Sequence, residues 1–123
     1  MTSRELTNEI LKILDDKKVQ DLSALDIGAL TVLSDFFVVC TGTSDRHVRT
    51  LADAVSKELK DRFDIYPHHI EGYESLTWVL LDYNGVVVHI FQQETRELYN
   101  IERLWSDAPK LDLTGIVSAT PVS

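Results

Sequence analysis

Five consecutive apolar residues, from Phe36 to Cys40, constrain the fold of this chain more than any other feature. The run is too short for an independent helix and is typical of a strand that is buried on both faces. It ends at a small polar loop from Thr41 to Ser44, and a helical pattern begins at Asp45. A buried strand followed by a loop and a helix predicts a sheet against which helices pack.

The loop from Thr41 to Ser44 has two interpretations. A strand–loop–helix unit directs backbone N–H groups out of the helix N-terminus, where they can bind an anion, so a phosphate-binding enzyme is one hypothesis. The loop lacks the Gly-Lys-Ser/Thr of a P-loop and the additional glycines of a dinucleotide site. The alternative is a helix cap, in which Ser44 or Thr43 is the N-cap and Asp45 lies in the first turn.

Composition limits the kind of partner. The chain has 123 residues, 44% of them apolar, which is enough for one domain with its own core. Its formal net charge of −8 is the opposite of what a protein that grips nucleic-acid phosphates carries. We therefore expect no direct sequence-specific nucleic-acid binding. An acidic chain can instead dock on a basic protein.

The only cysteine, Cys40, excludes an internal disulfide and lies at the end of the apolar run, where a small buried side chain is expected. The polar start of the chain predicts no signal peptide, and no apolar run is long enough to span a membrane. We therefore expect a cytoplasmic protein that does not enter a membrane.

Periodicity along the chain predicts the order helix, strand, strand, helix, strand, strand, strand, helix. The first helix ends near residues 16–18, the first two strands lie near residues 22–27 and 35–40, and a second helix extends towards residue 63. An edge strand ends near Ile70, a hairpin follows, and residues 94–105 form a third helix. The predicted fold is α/β of the α+β type, with a mixed sheet of about five strands covered by helices. Residues 1–108 form the predicted domain, and residues 109–123 a C-terminal tail that is partly disordered unless its apolar residues dock.

Asn84-Gly85 is the preferred two-residue hairpin turn and predicts the pairing of the strands on either side. In that register Trp78 opposes Phe91 and Leu80 opposes His89. Alternation then places one apolar set on a core face, namely Val79, Leu81, Tyr83, Val86, Val88 and Ile90. The opposite face carries Trp78, Leu80, Asp82, Val87, His89 and Phe91.

The mixed face of the hairpin has three interpretations. Asp82 and His89 are diagonal neighbours, so they could form a catalytic pair, but no nucleophile is placed beside them. They could instead be ordinary polar residues under a helix. Aromatic and aliphatic side chains with a few polar groups are also typical of an interface centre. We favour the interface and predict a docking neighbourhood of Trp78, Leu80, Asp82, Tyr83 and His89, with Tyr83 the weakest because the register turns it towards the core.

His68, His69 and Glu71 match no strong zinc pattern, and adjacent residues of a strand point to opposite faces. We expect no metal site and no cofactor.

Several segments together resemble one family, the ribosomal silencing factors, also called Iojap or RsfS. The segments occur in order with compatible spacing between about Leu6 and Ala108. They are residues 35–44 (DFFVVCTGTS), 46–48 (RHV), 71–72 (EG), 78–83 (WVLLDY), 86–91 (VVVHIF), 96–99 (RELY) and 102–105 (ERLW).

The resemblance implies a nucleotidyltransferase-like fold without its chemistry. It also implies binding to the large ribosomal subunit through its fourteenth ribosomal protein, a block of small-subunit joining that represses translation, and a homodimer. Mitochondrial relatives act in large-subunit assembly. The residues agree on one point, because Asp45-Arg46-His47 after the loop provides no Asp-x-Asp pair for two metal ions. The expected protein is therefore not an enzyme. The rival hypotheses are a nucleotidyltransferase or phosphoryl-transfer enzyme that uses the loop from Thr41 to Ser44, and a dimeric interaction module with another partner.

Overall fold

The computed structural model of the protein describes residues 1–117. The structure contains four helices and five strands in these residues. In chain order they are α1 (Ser3–Asp16), β1 (Gln20–Asp26), β2 (Phe36–Gly42), α2 (Asp45–Phe63), β3 (His69–Glu71), β4 (Trp78–Asp82), β5 (Val86–Gln92), α3 (Gln93–Tyr99) and α4 (Ile101–Leu104).

The five strands form one mixed sheet in the order β1-β2-β5-β4-β3. β2 and β5 are parallel, and every other neighbouring pair is antiparallel. The parallel pair requires a long crossover, which the chain makes through α2 and the β3–β4 segment. This architecture confirms the predicted α+β fold with a mixed five-stranded sheet. The nucleotidyltransferase-like label stays an expectation from the resemblance.

Both long helices cover one face of the sheet, which we call the inner face. α1 begins with a capping box, in which the Glu5 N–H donates to Thr2 Oγ1 at 3.1 Å and the Thr2 N–H donates to Glu5 Oε1 at 2.8 Å. α2 begins at the predicted cap, where Ser44 Oγ accepts from the His47 N–H at 3.1 Å. No helix within residues 1–117 is long and apolar enough to cross a membrane.

The hairpin has the predicted register. Trp78 pairs with Phe91, Leu80 with His89 and Asp82 with Val87. The Tyr83 N–H donates to the Val86 carbonyl at 2.8 Å across the turn. The whole predicted core set is buried on the inner face, namely Val79, Leu81, Tyr83, Val86, Val88 and Ile90.

The third helix was predicted wrongly as one helix over residues 94–105. Asn100 has a left-handed φ of 42° and separates α3 from α4. Leu98 and Leu104, which one continuous amphipathic helix would place on a shared apolar side, are both exposed. Asparagine tolerates the left-handed region, so the break is compatible with the residue at this position. Both short helices lie on the opposite, outer face of the sheet.

Residues 109–117 pack on the rest of the chain. The Asp26 N–H donates to the Pro109 carbonyl at 2.8 Å, and the Leu111 N–H donates to the Ala24 carbonyl at 2.9 Å, so this segment covers the edge of β1. The apolar residues Leu111, Leu113, Ile116 and Val117 pack against the core. The domain boundary at residue 108 stays a prediction, and residues 118–123 of the predicted tail lie outside the described residues.

Replacing Gly72 by Ala tests how closely the chain approaches the start of β4. Gly72 has φ of +77°, and a Cβ there would lie 1.9 Å from the Trp78 carbonyl oxygen. We expect Gly72→Ala to lower the free energy of unfolding by about 2 kcal/mol or more, because left-handed strain and a backbone collision add. Urea denaturation measures the change.

Gly115→Ala is the matched control. Gly115 has a similar φ of +82°, but a Cβ there meets nothing within 4 Å. Gly115→Ala therefore reports the left-handed strain alone. Equal losses of unfolding free energy in the two variants would contradict a collision at Gly72.

Candidate functional site

Part of the outer face carries half-buried side chains, and Trp105, the C-cap residue of α4, contacts Phe37 there with ring centroids 5.5 Å apart. Adjacent strands place Phe37 beside Val87 and Val87 beside Asp82, with Leu80 and Trp78 further along β4. These five side chains are half-buried, and Tyr99 of α3 stands exposed beside Trp78. We call this group the aromatic surface, which consists of Phe37, Trp78, Leu80, Asp82, Val87 and Tyr99.

Trp78 is held in a defined position on the aromatic surface. Its indole stacks on the buried Phe91 ring with centroids 4.8 Å apart, and the Tyr99 ring lies 5.0 Å away on the exposed side. The indole Nε1–H donates to His89 Nδ1 at 3.2 Å. The two ring contacts and the hydrogen bond together keep the large amphipathic side chain of Trp78 in one orientation, as an interface anchor requires.

His89 supports Trp78 from below. The residue is 4% exposed, and its ring makes a T-shaped contact with Phe37, with centroids 4.6 Å apart. Because Nδ1 accepts from Trp78, the neutral ring carries its proton on Nε2, which is buried and has no hydrogen-bond partner among residues 1–117. Burial lowers the pKa of His89 to about 4, so the imidazole is neutral near pH 7.

The remaining residues of the predicted docking neighbourhood have different positions. Leu80 and Asp82 are on the aromatic surface, and both are half-buried. Tyr83 packs in the core on the inner face, so it is not part of this surface. Asp82 Oδ1 accepts from the Asn84 N–H at 2.8 Å, whereas His89 bonds Trp78, so the two do not pair directly within residues 1–117. This arrangement does not form a catalytic dyad.

Two residues of the aromatic surface, Phe37 and Tyr99, are not in the docking neighbourhood predicted from the sequence. The sequence pattern places Tyr99 inside one continuous helix, whereas the structure ends α3 at Tyr99, with Asn100 in the left-handed region. The apolar run from Phe36 to Cys40 predicts only that Phe37 is a buried strand residue. Alternation along β2 was the available signal, because it places Phe37 and Val39 on the face opposite Val38 and Cys40.

The loop from Thr41 to Ser44 is bonded internally. The Thr43 N–H donates to His47 Nδ1 at 2.9 Å, and His47 Nε2 donates to the Lys17 carbonyl at 2.9 Å. A Cβ at Gly42 would lie 2.8 Å from the Val48 side chain, so that glycine permits close packing of α2.

Side chains around the loop are engaged as well. Thr41 Oγ1 accepts from Arg96 at 2.8 Å, and the Asp45 carboxylate accepts from the Gln92 side chain. The Thr43 N–H and the His47 N–H, two donors of a kind that could hold a phosphate, are therefore bonded within the chain.

Two other kinds of reactive site, a nucleophilic thiol and a metal site, can be assessed within residues 1–117. Burial raises the pKa of the Cys40 thiol to about 12, which makes it a poor nucleophile. Residues 1–117 contain no group of three His, Cys, Asp or Glu side chains that could hold a metal ion. His69 Nε2 instead lies 3.0 Å from Glu71 Oε2 on the exposed edge strand.

Stability should depend on pH through His89. Its pKa is about 4 in the folded protein, against 6.5 for the free side chain, so the unfolded chain binds the proton more readily between these values. We expect the full stabilisation above pH 6.5 and a loss of about 3 kcal/mol as pH falls to 4. Urea denaturation across this range measures it. His89→Gln, which keeps an acceptor for Trp78, should have a flatter profile than wild type, and an equal slope would contradict the assignment to His89.

The chain also matches known proteins along nearly its whole length. Residues 1–122 match the family model described as ribosomal silencing factor during starvation, and this match includes most of the C-terminal tail. The chain is 37% identical to the ribosomal silencing factor RsfS of Halalkalibacterium halodurans, over 96% of this chain and 100% of that protein. It is 41% identical to the RsfS of Bacillus subtilis, over 85% of this chain and 91% of that protein.

The fold agrees with a crystal structure of a protein from Chromobacterium violaceum. The TM-score is 0.82 with 38% sequence identity, and the match covers 86% of this chain and 88% of the other. Ribosomal silencing factors are regulatory proteins rather than known enzymes. The chain belongs to the ribosomal silencing factor family, and its role is a ribosome-associated silencing one.

Proposed function

We propose that this protein docks on the large ribosomal subunit, at the fourteenth ribosomal protein of that subunit, and blocks joining of the small subunit. The aromatic surface is the proposed docking site. The observation that supports it is the position of Trp78, which is half-buried, stacked on Phe91, in tilted contact with Tyr99, and bonded to His89. A preorganised aromatic side chain loses little conformational freedom on binding.

The chemistry of this surface suits a basic protein partner. Its centre is aromatic and aliphatic, as in the centres of protein interfaces. Asp82 lies on the aromatic surface itself. Glu71 is exposed on the neighbouring edge strand, β3, where it is the strand-register partner of Leu80. These carboxylates and the net charge of −8 would speed the encounter with a positively charged ribosomal protein. Bacterial ribosomes lie in the cytoplasm, so this proposal places the protein there.

Inhibition by occlusion needs no catalysis and no cofactor. If the docked protein and the small subunit need the same space on the large subunit, their occupancies exclude one another. The degree of silencing then depends on the concentration of the protein relative to its dissociation constant. A small domain with a well-ordered face is sufficient for such a mechanism.

The enzyme hypothesis is less well supported. Nucleotidyl or phosphoryl transfer through the loop from Thr41 to Ser44 would need free anion donors and metal-binding carboxylates. The Thr43 N–H is bonded to His47, and the Asp45 carboxylate is bonded to Gln92. We therefore propose a non-enzymatic protein.

Trp78→Ala should abolish silencing without unfolding the protein. If Trp78 is the anchor, its loss should cost about 2 kcal/mol of binding, which is about thirtyfold in affinity. The measurement is association of separated small and large subunits with the protein present. Wild type should keep the subunits apart, and folded Trp78→Ala at the same concentration should not.

Tyr66→Ala is the control for this experiment. Tyr66 is an exposed aromatic residue in the connection between α2 and β3, outside the aromatic surface. A thermal melt must first show that both variants are folded, since Trp78 also packs on Phe91. Full large-subunit binding by folded Trp78→Ala would place docking on another surface. If the two ribosomal subunits join to the same extent with and without the wild-type protein, the occlusion mechanism is refuted.

We also propose that the free protein is a homodimer that uses the aromatic surface, because a partly open aromatic face favours self-association. Light scattering at micromolar concentration should give twice the mass of one chain for wild type. Folded Trp78→Ala should shift towards the monomer, whereas Tyr66→Ala should not. A wild-type monomer at all accessible concentrations would exclude the dimer.

A further inference from the structure

Two short helices pack beside the aromatic surface, and Tyr99 of α3 is part of that surface. α3 and α4 are seven and four residues long, and in the part of the chain that the structure describes neither has a fully buried residue. Neither has a side-chain hydrogen bond at its N-cap. Helices this short are unstable alone, so contacts with the sheet must keep them in place. Tyr99, the last residue of α3, depends on those contacts for its position over Trp78.

Arg96 provides hydrogen bonds between α3 and the sheet. Its side chain is only 12% exposed, which is low for an arginine. One Nη1 group donates to the Asp21 carbonyl at 2.7 Å and to Thr41 Oγ1 at 2.8 Å. The same side chain therefore attaches α3 to two strands, β1 and β2. Asp21 lies in the irregular part of β1 between Gln20 and Ser23, with a left-handed φ of 47°.

The other side of the guanidinium group attaches α3 to α4. Nε donates to Glu102 Oε1 at 2.9 Å and Nη2 donates to Glu102 Oε2 at 3.0 Å, which is the bidentate geometry that arginine favours. Ser23 Oγ also donates to Glu102 Oε2 at 3.3 Å. Arg96 lowers the pKa of the Glu102 carboxyl, as expected for a carboxylate that is paired and bonded in the folded state.

The left-handed residue Asn100 lies between the two partners. Arg96 and Glu102 are on opposite sides of this break, and the Asn100 N–H donates to the Arg96 carbonyl at 2.8 Å. The ion pair therefore closes the turn from α3 to α4 and sets the direction in which Tyr99 leaves α3. A Coulombic pair that is shielded from water on one side is stronger than a pair on an open surface.

We propose that Arg96 is a positioning residue for docking. It holds α3 and α4 on β1 and β2 so that Tyr99 stays against Trp78 and contacts the same ribosomal protein partner. This inference rests on the proposed function. Arg96 acts through Tyr99 and needs no contact with the partner itself.

A double-mutant cycle tests this coupling. Arg96→Met keeps most of the side-chain stem and removes the charged hydrogen bonds. We expect it to weaken binding to purified large subunits about tenfold in the wild-type background. In a Tyr99→Ala background the same change should weaken binding less than about twofold, because the side chain that Arg96 positions is already gone. Arg62→Met is the control, since Arg62 makes exposed ion pairs with Glu9 and Glu58 on the α2 side of the sheet.

Hydrogen–deuterium exchange provides a readout without ribosomes. Exchange should rise over residues 93–104 in Arg96→Met and stay unchanged there in Arg62→Met. If Arg96→Met does not fold, Arg96→Lys replaces it in both measurements. Lysine keeps the charge but cannot make the bidentate contact, so the same effects should appear at reduced size.

Three outcomes would overturn the inference. They are unchanged exchange over residues 93–104, unchanged binding by the folded variant, and an equal loss of binding in both backgrounds. The proposed function fails separately, if wild type does not bind large subunits at all. The exchange comparison then still decides whether Arg96 holds the two helices.

Discussion

The parallel pairing of β2 with β5 is the constraint on which the rest of the structure depends. It joins the first half of the chain to the hairpin and places Phe37 beside Val87 and Val39 beside His89. Because the two strands are central in the sheet, their side chains define both faces. α1 and α2 bury the inner face. The outer face receives the two short helices α3 and α4.

A partly covered face is stable here because its large side chains support one another. Trp78 stacks on Phe91 and bonds His89, and the Phe37 and His89 rings make a T-shaped contact. Burying an imidazole carries a desolvation cost, which is lowest when the ring is neutral. The low pKa of His89 and the fixed orientation of Trp78 are therefore two consequences of the same packing.

Polar contacts add to the ring contacts where the chain passes from the sheet to α3 and α4. Arg96 joins both helices to β1 and β2, and His47 joins the loop after β2 to the end of α1. In an enzyme that binds phosphate, donors at such a loop would face the ligand. Here the Thr43 N–H and the His47 side chain are bonded within the chain.

Local rules in the sequence were sufficient for several features of the fold and part of the site. Ser44 caps α2 because a hydroxyl beside free N–H groups is favourable wherever a helix begins. Asn84-Gly85 sets the hairpin register, and alternation from that turn places Trp78, Leu80 and Asp82 on one face and Tyr83 on the other. These features depend on residues that are near each other in the chain.

Tertiary structure alone decided the remaining features of the site. The sequence did not indicate that Tyr99 lies on Trp78, that Arg96 reaches Asp21, or that His89 bonds the indole. Periodicity favoured one helix through Asn100, whereas the structure breaks it there and closes the break with an ion pair. The contacts of Tyr99 with Trp78 and of Arg96 with Asp21 join elements that are separated along the chain, so they depend on strand order and on the position of a helix over the sheet. Local propensity carries no information about those arrangements, because they are set by how the whole core packs.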